Sequence, residues 1–262
     1  MTDEPQEQKS ETSTPITPQP EQTAPPEQIA PKKPGITDII ELNYDAWIVS
    51  GDKNELFDTT NPETAILNNF KTNKELKPIK YIIGSNVLWE SLEKSFIDSE
   101  VGKDYEVVLK PQDAAGERKP DLIVIYPLSK VKKLVSEINV DLQPVVGLDI
   151  IDDENNRKGR ITAITAGRVR IDFNHPQAGK TLKYKYRILK IVEVPEEQVH
   201  AILEIHFPYE VIFNVECKER EVTIHVPEPC RTNPEWLKSK EKIVDQLRNR
   251  NFEVIRFIEE YR

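Results

Sequence analysis

The segment DFNHPQAGKTLKYKYRILKIVEV, residues 172–194, decides the fold class of this chain of 262 residues. Its part NHPQAGKT (174–181) is close to a phosphate-binding loop, except that Asn174 stands where the first glycine should be. A phosphate-binding loop opens a helix, whereas the residues that follow alternate between polar and apolar side chains over a full strand length. We therefore expect a tight turn between two strands at 174–181 and no nucleotide site.

Four alternating segments upstream of this turn predict further strands. They are NYDAWIVS (43–50), ELFDTT (55–60), KPIKYIIG (77–84) and KDYEVVLKP (103–111). Between the last two, SNVLWESLEKSF (85–96) has helical spacing, and Ser85 and Asn86 are both suitable N-caps. A strand-rich unit with one short helix indicates an α+β fold and not a βαβ repeat.

The rest of the chain divides into two differently patterned regions. From about 120 to 175, short β-branched segments punctuated by glycine predict a small barrel or twisted sheet. They are LIVIYPL (122–128), VVGLDII (145–151), GRITAIT (159–165) and GRVRIDFN (167–174). After Pro195 the pattern predicts a helix, two strands, a second helix with Asn233 as N-cap and Pro234 at its first position, and a last strand. The segments are EEQVHAILEIHF (196–207), YEVIFNVE (209–216), EVTIHV (221–226), 234–247 and FEVIRFIEEY (252–261).

Composition limits the class of protein. The net charge of −9 disfavours non-specific binding to DNA or to an anionic membrane. Residues 1–35 hold no aromatic residue and little aliphatic surface, so we expect a disordered tail rich in Pro, Glu and Gln. The first residues lack a secretory signal, and no apolar stretch approaches the roughly 20 residues that span a bilayer. With only two cysteines, a disulfide framework is not expected. We expect a cytoplasmic protein without a membrane segment.

The sequence offers no metal, cofactor or nucleophile site. The four histidines are scattered, and Cys217 and Cys230 have no clustered partner. What remains is a group of apolar side chains around one acid on the predicted strands and helix: Tyr44, Phe57, Asp58, Leu88, Trp89 and Tyr184. Spacing alone is compatible with a packed core, in which Asp58 accepts backbone amides at a strand end.

Taken in order, four segments resemble the FKBP-type peptidyl-prolyl isomerases, in particular the SlyD-like long forms of archaea. They are NYDAWIVSGDKNELFDTT (43–60), IKYIIGSNVLWESLEKSF (79–96), EVGKDYEVVLKPQDAAGER (100–118) and DFNHPQAGKTLKYKYRILKI (172–191). The resemblance implies an FKBP-like antiparallel half-barrel sheet wrapped on a short helix. It also implies four regions: the tail, a discontinuous isomerase domain (36–119 plus 170–195), a small β-rich insert-in-flap chaperone subdomain (120–169) and a C-terminal α-β-β-α-β module (196–262).

The resemblance implies catalysis without a nucleophile or cofactor. An apolar pocket disfavours the planar, charge-separated X-Pro amide relative to its twisted form. By position, the implied catalytic residues are Tyr44, Phe57, Asp58, Trp89 and Tyr184, and the implied substrate-binding residues are Ile79, Leu88, Leu92 and Ala115. The family usually has an aromatic residue at the position of Ala115, an aliphatic residue at that of Trp89 and phenylalanine at that of Tyr184. The implied partners are unfolded or nascent proline-containing polypeptides, met by a monomer.

Two other functions remain open. Ala115 and Trp89 favour a non-catalytic polypeptide-binding chaperone on the same scaffold, whereas Tyr44, Phe57 and Asp58 favour the enzyme. The segment GRITAITAGRVRIDF (159–173) is typical of small barrels in ribosome-associated proteins, which would suit RNA, although the net charge and the lack of an aromatic stacking pair argue against this. The local positive charge comes from Arg157, Lys158, Arg160, Arg168 and Arg170. The C-terminal module is expected to be an interaction or scaffold domain.

Overall fold

A computed structural model of the chain describes residues 32–51, 53–138 and 141–260. The predicted tail therefore lies outside the described residues, apart from 32–35. The described part is a mixed α+β fold with three sheets. Its elements up to residue 109 are β1 Ile39–Ser50, β2 Lys53–Thr59, α1 Pro62–Leu67, β3 Ile79–Ile82, α2 Glu90–Asp98 and β4 Asp104–Leu109. Among the described helices, none combines the length and the hydrophobicity needed to cross a bilayer.

The first sheet is completed by a strand from much later in the chain, β9 (Thr181–Val192). The sheet order is β2-β1-β9-β4, β3 pairs with one end of β1, and every pair is antiparallel. Alternation along β9 turns Leu182, Tyr184, Tyr186 and Ile188 to one face, where they are buried in one cluster with Leu92 and Phe96 of α2. The predicted strand after the 174–181 turn is confirmed, and the turn connects two strands as expected.

The second sheet lies between β4 and β9 in the sequence. Its elements are β5 Ile123–Pro127, α3 Leu128–Ile138, β6 Asp149–Asp152, β7 Arg157–Thr165 and β8 Arg168–Asp172, in the antiparallel order β5-β8-β7-β6. The prediction of a purely β-patterned region missed α3, an 11-residue helix. Val131, Leu134 and Val135 are buried at helical spacing against the sheet, because α3 covers one of its faces.

A buried polar network closes the open end of this second sheet. The Asp152 carboxylate is fully buried and accepts hydrogen bonds from the Tyr126 hydroxyl at 2.6 Å, from Asn155 and from the Arg157 guanidinium. Arg157 also stacks over the Phe173 ring at 4.0 Å. Burial alone would raise the pKa of Asp152, but the hydrogen bonds from Tyr126, Asn155 and Arg157 outweigh it and lower the pKa below its ordinary value.

The third sheet follows β9. Its elements are α4 Pro195–His206, β10 Asn214–Lys218, β11 Glu221–His225, α5 Glu228–Arg231, α6 Pro234–Arg248 and β12 Val254–Ile258. The order is β10-β11-β12, with β11 and β12 parallel. The predicted α-β-β-α-β order is confirmed, with one extra helical turn at α5, and the Asn233 side chain caps α6 as predicted by accepting from the Glu235 amide. Ile39, Ile82 and Val192 of the first sheet share a core cluster with α4 and Trp236.

Three local predictions were wrong. Ser85 and Asn86 do not cap α2, which begins at Glu90 and has no side-chain cap. Instead Glu93 reaches back to accept from the Gly84 amide and the Tyr81 hydroxyl, so the preceding loop is fixed from inside the helix. The first unit has a second helix, α1, which Asn61 caps. The strand predicted at 209–216 begins only at Asn214, because the backbone turns tightly between Phe207 and Val211.

Candidate active site

The predicted aromatic residues converge on the covered face of the first sheet. In the register of the sheet, Ala46 of β1 lies between Asp58 of β2 and Tyr184 of β9. Ala46 is fully buried and small, so the larger side chains on either side can lean toward each other. The Phe57 ring meets the Tyr184 ring edge-on at 6.1 Å, and the Tyr44 ring lies 6.3 Å from that of Tyr184. Three strands therefore place one wall of aromatic rings.

The acid of the site is fixed by two hydrogen bonds. The Tyr44 hydroxyl donates to Oδ2 of Asp58 at 2.7 Å, and the Thr59 amide donates to Oδ1 at 3.0 Å. The backbone contact is the role that spacing allowed for this acid, and the Tyr44 contact adds to it. Burial, and next the nearby negative charge of Asp58, raise the pKa of Tyr44 far above its ordinary value. Tyr44 therefore stays protonated and remains a donor to the carboxylate.

Trp89 enters the same site from the residue before α2. Its indole N–H donates to the Tyr184 hydroxyl at 2.9 Å, a contact between residues 95 positions apart. The His175 ring meets the indole edge-on at 5.4 Å. Burial raises the pKa of Tyr184 to about 12, the hydrogen bond from Trp89 lowers it, and the Asp58 charge raises it. The hydroxyl of Tyr184 is therefore neutral at ordinary pH.

The other predicted site residues divide into three groups. Ile79 and Leu88 are half-buried and pack against the first core cluster beside Phe57 and Trp89. Leu92 belongs to the same cluster but is only 1% exposed, so it supports the site from beneath and offers almost no surface to a ligand. Ala115 is half-buried, and its neighbour Ala114 packs against the cluster. The substrate-binding role of Ala115 stays a prediction.

Hydrogen bonds that were not expected from the sequence fix the turn beside His175. The Asn174 side chain accepts from the Lys119 amide at 2.8 Å and donates to the Lys119 carbonyl at 3.0 Å. Nearby, the Gly179 amide donates to the Gly116 carbonyl at 2.8 Å. These bonds join the two segments that connect the first and second sheets. The departure of Asn174 from the phosphate-loop pattern was the signal that a side chain, not a glycine, was needed there.

The chemistry available to this site is that of an apolar cluster with one fixed acid. Both oxygens of Asp58 are engaged as acceptors, and the walls are rings and aliphatic chains. Within residues 32–51, 53–138 and 141–260, no three His, Cys, Asp or Glu side chains cluster as metal ligands. Cys217 and Cys230 are both free thiols, and burial raises the pKa of each above its ordinary value, so neither is an activated nucleophile.

Comparison with known proteins supports the resemblance found in the sequence. The family model described as FKBP26, IF domain matches residues 135–177, from within α3 to the turn before β9, and the model described as FKBP26 C-terminal matches 195–262. The chain is also 27% identical over 130 residues to an FKBP-type peptidyl-prolyl cis-trans isomerase SlyD of Helicobacter pylori, covering 50% of this chain and 68% of the relative. Over about half of its length, the chain is therefore similar to FKBP-type peptidyl-prolyl cis-trans isomerases of the SlyD kind.

Two further proteins with similar sequences extend the comparison. A short-type peptidyl-prolyl cis-trans isomerase of Methanocaldococcus jannaschii is 29% identical over 144 residues, which cover 55% of this chain and 87% of the relative. The SlyD protein of Treponema pallidum is 25% identical over 125 residues, covering 48% of this chain and 68% of the relative. These similarities and the antiparallel sheet that carries Tyr44, Asp58 and Tyr184 agree with the resemblance seen in the sequence.

Proposed function

We propose that this chain is a peptidyl-prolyl cis-trans isomerase. The observation that carries the proposal is the fixed Tyr44–Asp58 pair beside the Phe57 and Tyr184 rings, in a site that offers no activated nucleophile. Relatives at 25–29% identity are named as such isomerases. The discontinuous segment 36–119 plus 170–195 is the domain that we propose carries the activity.

The proposed mechanism needs no covalent step. Rotation about an X-Pro bond is opposed by amide resonance, with a barrier of about 18–20 kcal/mol, and proceeds over tens of seconds or longer without help. The planar amide is more charge-separated than the twisted one, so removing water with the Phe57 and Tyr184 rings stabilises the twisted form by comparison. Asp58, held by Tyr44 and the Thr59 amide, fixes the pocket edge as an acceptor for donors of the substrate.

A proline-limited refolding assay tests this proposal. We expect the wild-type chain to accelerate the slow phase and Asp58→Ala to lose most of that acceleration. The matched control is Asp104→Ala, since Asp104 is an acid of the same sheet that pairs with Arg187 at the surface. Equal acceleration by wild type and Asp58→Ala would remove the pocket from the mechanism, and no acceleration by any variant would reject the enzyme.

The uncovered face of the second sheet supports a second activity, the holding of unfolded chains by the segment 120–169 together with the last residues of β8, which belong to the same sheet. Alternation places Ile125 and Ile151 opposite the α3 side, and their side chains are 56% and 47% exposed. Arg170 lies beside Ile125 in the register, and with Arg168 they line a depression of about 640 Å³. Such a face suits an extended polypeptide with aliphatic side chains.

The same face disfavours RNA as the partner. Arg157 is bonded to buried Asp152, and Arg160 and Lys158 both approach Asp149, so within the described residues only Arg168 and Arg170 of the five basic side chains lack an acidic partner. The strands of this face carry no outward aromatic ring for base stacking. We propose that the protein acts as a monomer on unfolded or nascent proline-containing polypeptides. The proposed compartment is the cytoplasm, in which the two free thiols remain reduced.

An aggregation assay separates the two activities. We expect suppression of client aggregation to weaken in Ile125→Ser/Arg170→Gln, with isomerisation of a short peptide unchanged. The control is Lys132→Gln/Lys133→Gln, which removes charge from the exposed side of α3 in the same segment. Suppression that survives the first pair unchanged would contradict this face as the holding surface. Suppression by a chain that accelerates no X-Pro bond would make the protein a non-catalytic chaperone.

A further inference from the structure

The Tyr184 hydroxyl has an unused proton at the centre of the candidate site. Its oxygen accepts the Trp89 indole N–H at 2.9 Å, and its ring is only 4% exposed. Within the described residues, the hydroxyl has no acceptor for its own proton. The acid of the site, Asp58, accepts from Tyr44 through Oδ2 and from the Thr59 amide through Oδ1, and makes no hydrogen bond with the Tyr184 hydroxyl. A buried hydroxyl that accepts without donating leaves part of its hydrogen-bonding capacity for a ligand.

No other predicted pocket side chain offers a free donor. Phe57, Ile79, Leu88 and Leu92 are hydrocarbons, and the Trp89 N–H is bonded to Tyr184. The segment that would cover the site carries Ala114 and Ala115, which have no polar side-chain atom. Among the described side chains of the predicted pocket, Tyr184 is therefore the one group that can donate to a carbonyl of a bound peptide.

The Trp89 contact strengthens that donor. In a chain of hydrogen bonds, a hydroxyl that accepts one bond becomes a better donor of the next, and the effect is larger where water is excluded. Burial and the Asp58 charge also keep Tyr184 protonated, with a pKa of about 12. The hydroxyl is thus held in place by the indole and is neutral at any pH at which the protein would work.

The chemistry of the amide decides which peptide carbonyl the Tyr184 hydroxyl can bind. The oxygen of the X-Pro amide carries most negative charge when the bond is planar, so a donor on that oxygen would favour the ground state and slow rotation. A donor on a flanking carbonyl anchors the peptide equally before and during rotation. Such an interaction lowers KM and leaves kcat unchanged.

Resting on the proposed isomerase function, we propose that the Tyr184 hydroxyl binds a peptide carbonyl flanking the X-Pro bond, and that Trp89 is the positioning residue for that hydroxyl. The Tyr184–Trp89 pair supplies the hydrogen-bond donor that the side chains of Ala114 and Ala115 lack. Phenylalanine at position 184 would keep the ring and lose the anchor.

Kinetics and affinity for a proline tetrapeptide test this, measured in parallel on the full chain. We expect Tyr184→Phe to raise KM and the peptide Kd roughly 3- to 10-fold, the range of one hydrogen bond, with kcat changed less than twofold. Trp89→Phe should raise both less, and its effect should be smaller in the Tyr184→Phe background than in the wild type. The control is Tyr105→Phe. The Tyr105 hydroxyl likewise accepts one hydrogen bond, from the Glu100 amide, but Tyr105 lies on β4 and is not a residue of the predicted pocket.

The outcomes separate the two claims. Unchanged KM and Kd in Tyr184→Phe, with an active wild type, would overturn the anchor and leave the isomerase proposal standing. A wild type that binds the peptide but does not isomerise it would overturn the enzyme, while the Kd values still decide the role of Tyr184. A wild type that neither binds nor isomerises would overturn both. Thermal unfolding midpoints of all variants distinguish a lost contact from a lost fold.

Discussion

The Tyr44 hydroxyl lies 2.7 Å from Oδ2 of Asp58, and the bond joins neighbouring strands of the first sheet. Tyr44 and Asp58 are 14 residues apart in sequence, but the pairing of β1 with β2 places Asp58 opposite Ala46, two residues from Tyr44 on the same face. The pairing therefore orients the acid before any substrate arrives. The acid itself is an oriented acceptor and not a base.

Removing the Tyr44 hydroxyl is expected to weaken both the fold and the activity. Tyr44→Phe leaves Oδ2 of half-buried Asp58 without its donor, which costs about 1–3 kcal/mol of the free energy of unfolding. Urea unfolding measures that loss, and the tetrapeptide assay should show a fall in activity alongside it. Tyr105→Phe is the matched control for removal of a hydroxyl from the same cluster. A Tyr44→Phe chain as stable as the wild type would show that the bond contributes nothing.

Alkaline pH is expected to destabilise the chain through its buried tyrosines. Burial raises the pKa of Tyr184 from 10.0 to about 12, so the folded chain keeps a proton that the unfolded chain releases. The stabilisation from this residue is complete below pH 10 and is lost as the pH rises toward 12, at a cost of about 3 kcal/mol. Urea unfolding between pH 10 and 12 should therefore show a shallower decline for Tyr184→Phe. Parallel declines would contradict burial as the cause of the shift.

Peptide binding is expected to change the environment of Trp89. A ligand in the site must lie against Tyr184, the hydrogen-bond partner of the indole. Titration with a proline tetrapeptide should change the tryptophan fluorescence of the wild type and of Trp47→Phe, and should change that of Trp89→Phe much less. Trp236 is fully buried in the C-terminal module and contributes a constant background to the fluorescence. An equal change in Trp89→Phe would place the ligand elsewhere.

Removing Asp152 is expected to loosen the second sheet selectively. Asp152→Ala leaves the Arg157 guanidinium and the Tyr126 hydroxyl without the buried carboxylate, and breaking such a pair costs about 3–5 kcal/mol. Hydrogen exchange should rise in β6 and β7 while β1 and β9 keep their protection. Asp149→Ala, which breaks a surface pair with Arg160, is the control and should cost under about 1 kcal/mol. Equal effects of the two would show that the network is not structural.

The C-terminal module (196–262) is expected to be needed for the stability of the first sheet. Ile39, Ile82 and Val192 share a core cluster with Val199 and Ile202 of α4. A chain ending at residue 194 exposes those three side chains, so we expect a lower unfolding midpoint and aggregation. Restoring solubility by Val192→Thr would confirm that exposed apolar surface is the cause. A truncated chain with an unchanged midpoint would show that the shared cluster carries little energy.

Much of this fold could be predicted from the sequence, because alternation and capping are local. The alternating segments at 43–50 and 182–192 became the paired centre of the first sheet, and Asn233 with Pro234 marked the start of α6. The helix α3 escaped notice because its apolar spacing lies directly after a β-branched strand. The caps of α2 were misassigned because Glu93, inside the helix, supplies the contacts that an N-cap would make.

For the candidate site, the sequence could predict which residues take part but not the contacts between them. Resemblance brought together Tyr44, Phe57, Asp58 and Tyr184, which are joined by ring contacts and by the Tyr44–Asp58 hydrogen bond. It could not show the Trp89–Tyr184 bond, since two residues 95 positions apart meet only through the packing of α2 on the sheet. Nor could it show that Ala114 packs on the cluster, because a turn of the backbone decides which side chain faces inward.

The most direct test of the central claim is the cis–trans exchange rate of a proline tetrapeptide, measured by two-dimensional NMR exchange with catalytic amounts of protein. We predict that the wild type and Asp104→Ala raise the exchange rate well above that of the peptide alone, and that Asp58→Ala does not. An exchange rate equal to that of the free peptide in the presence of the wild type would contradict the assignment of this protein as an isomerase.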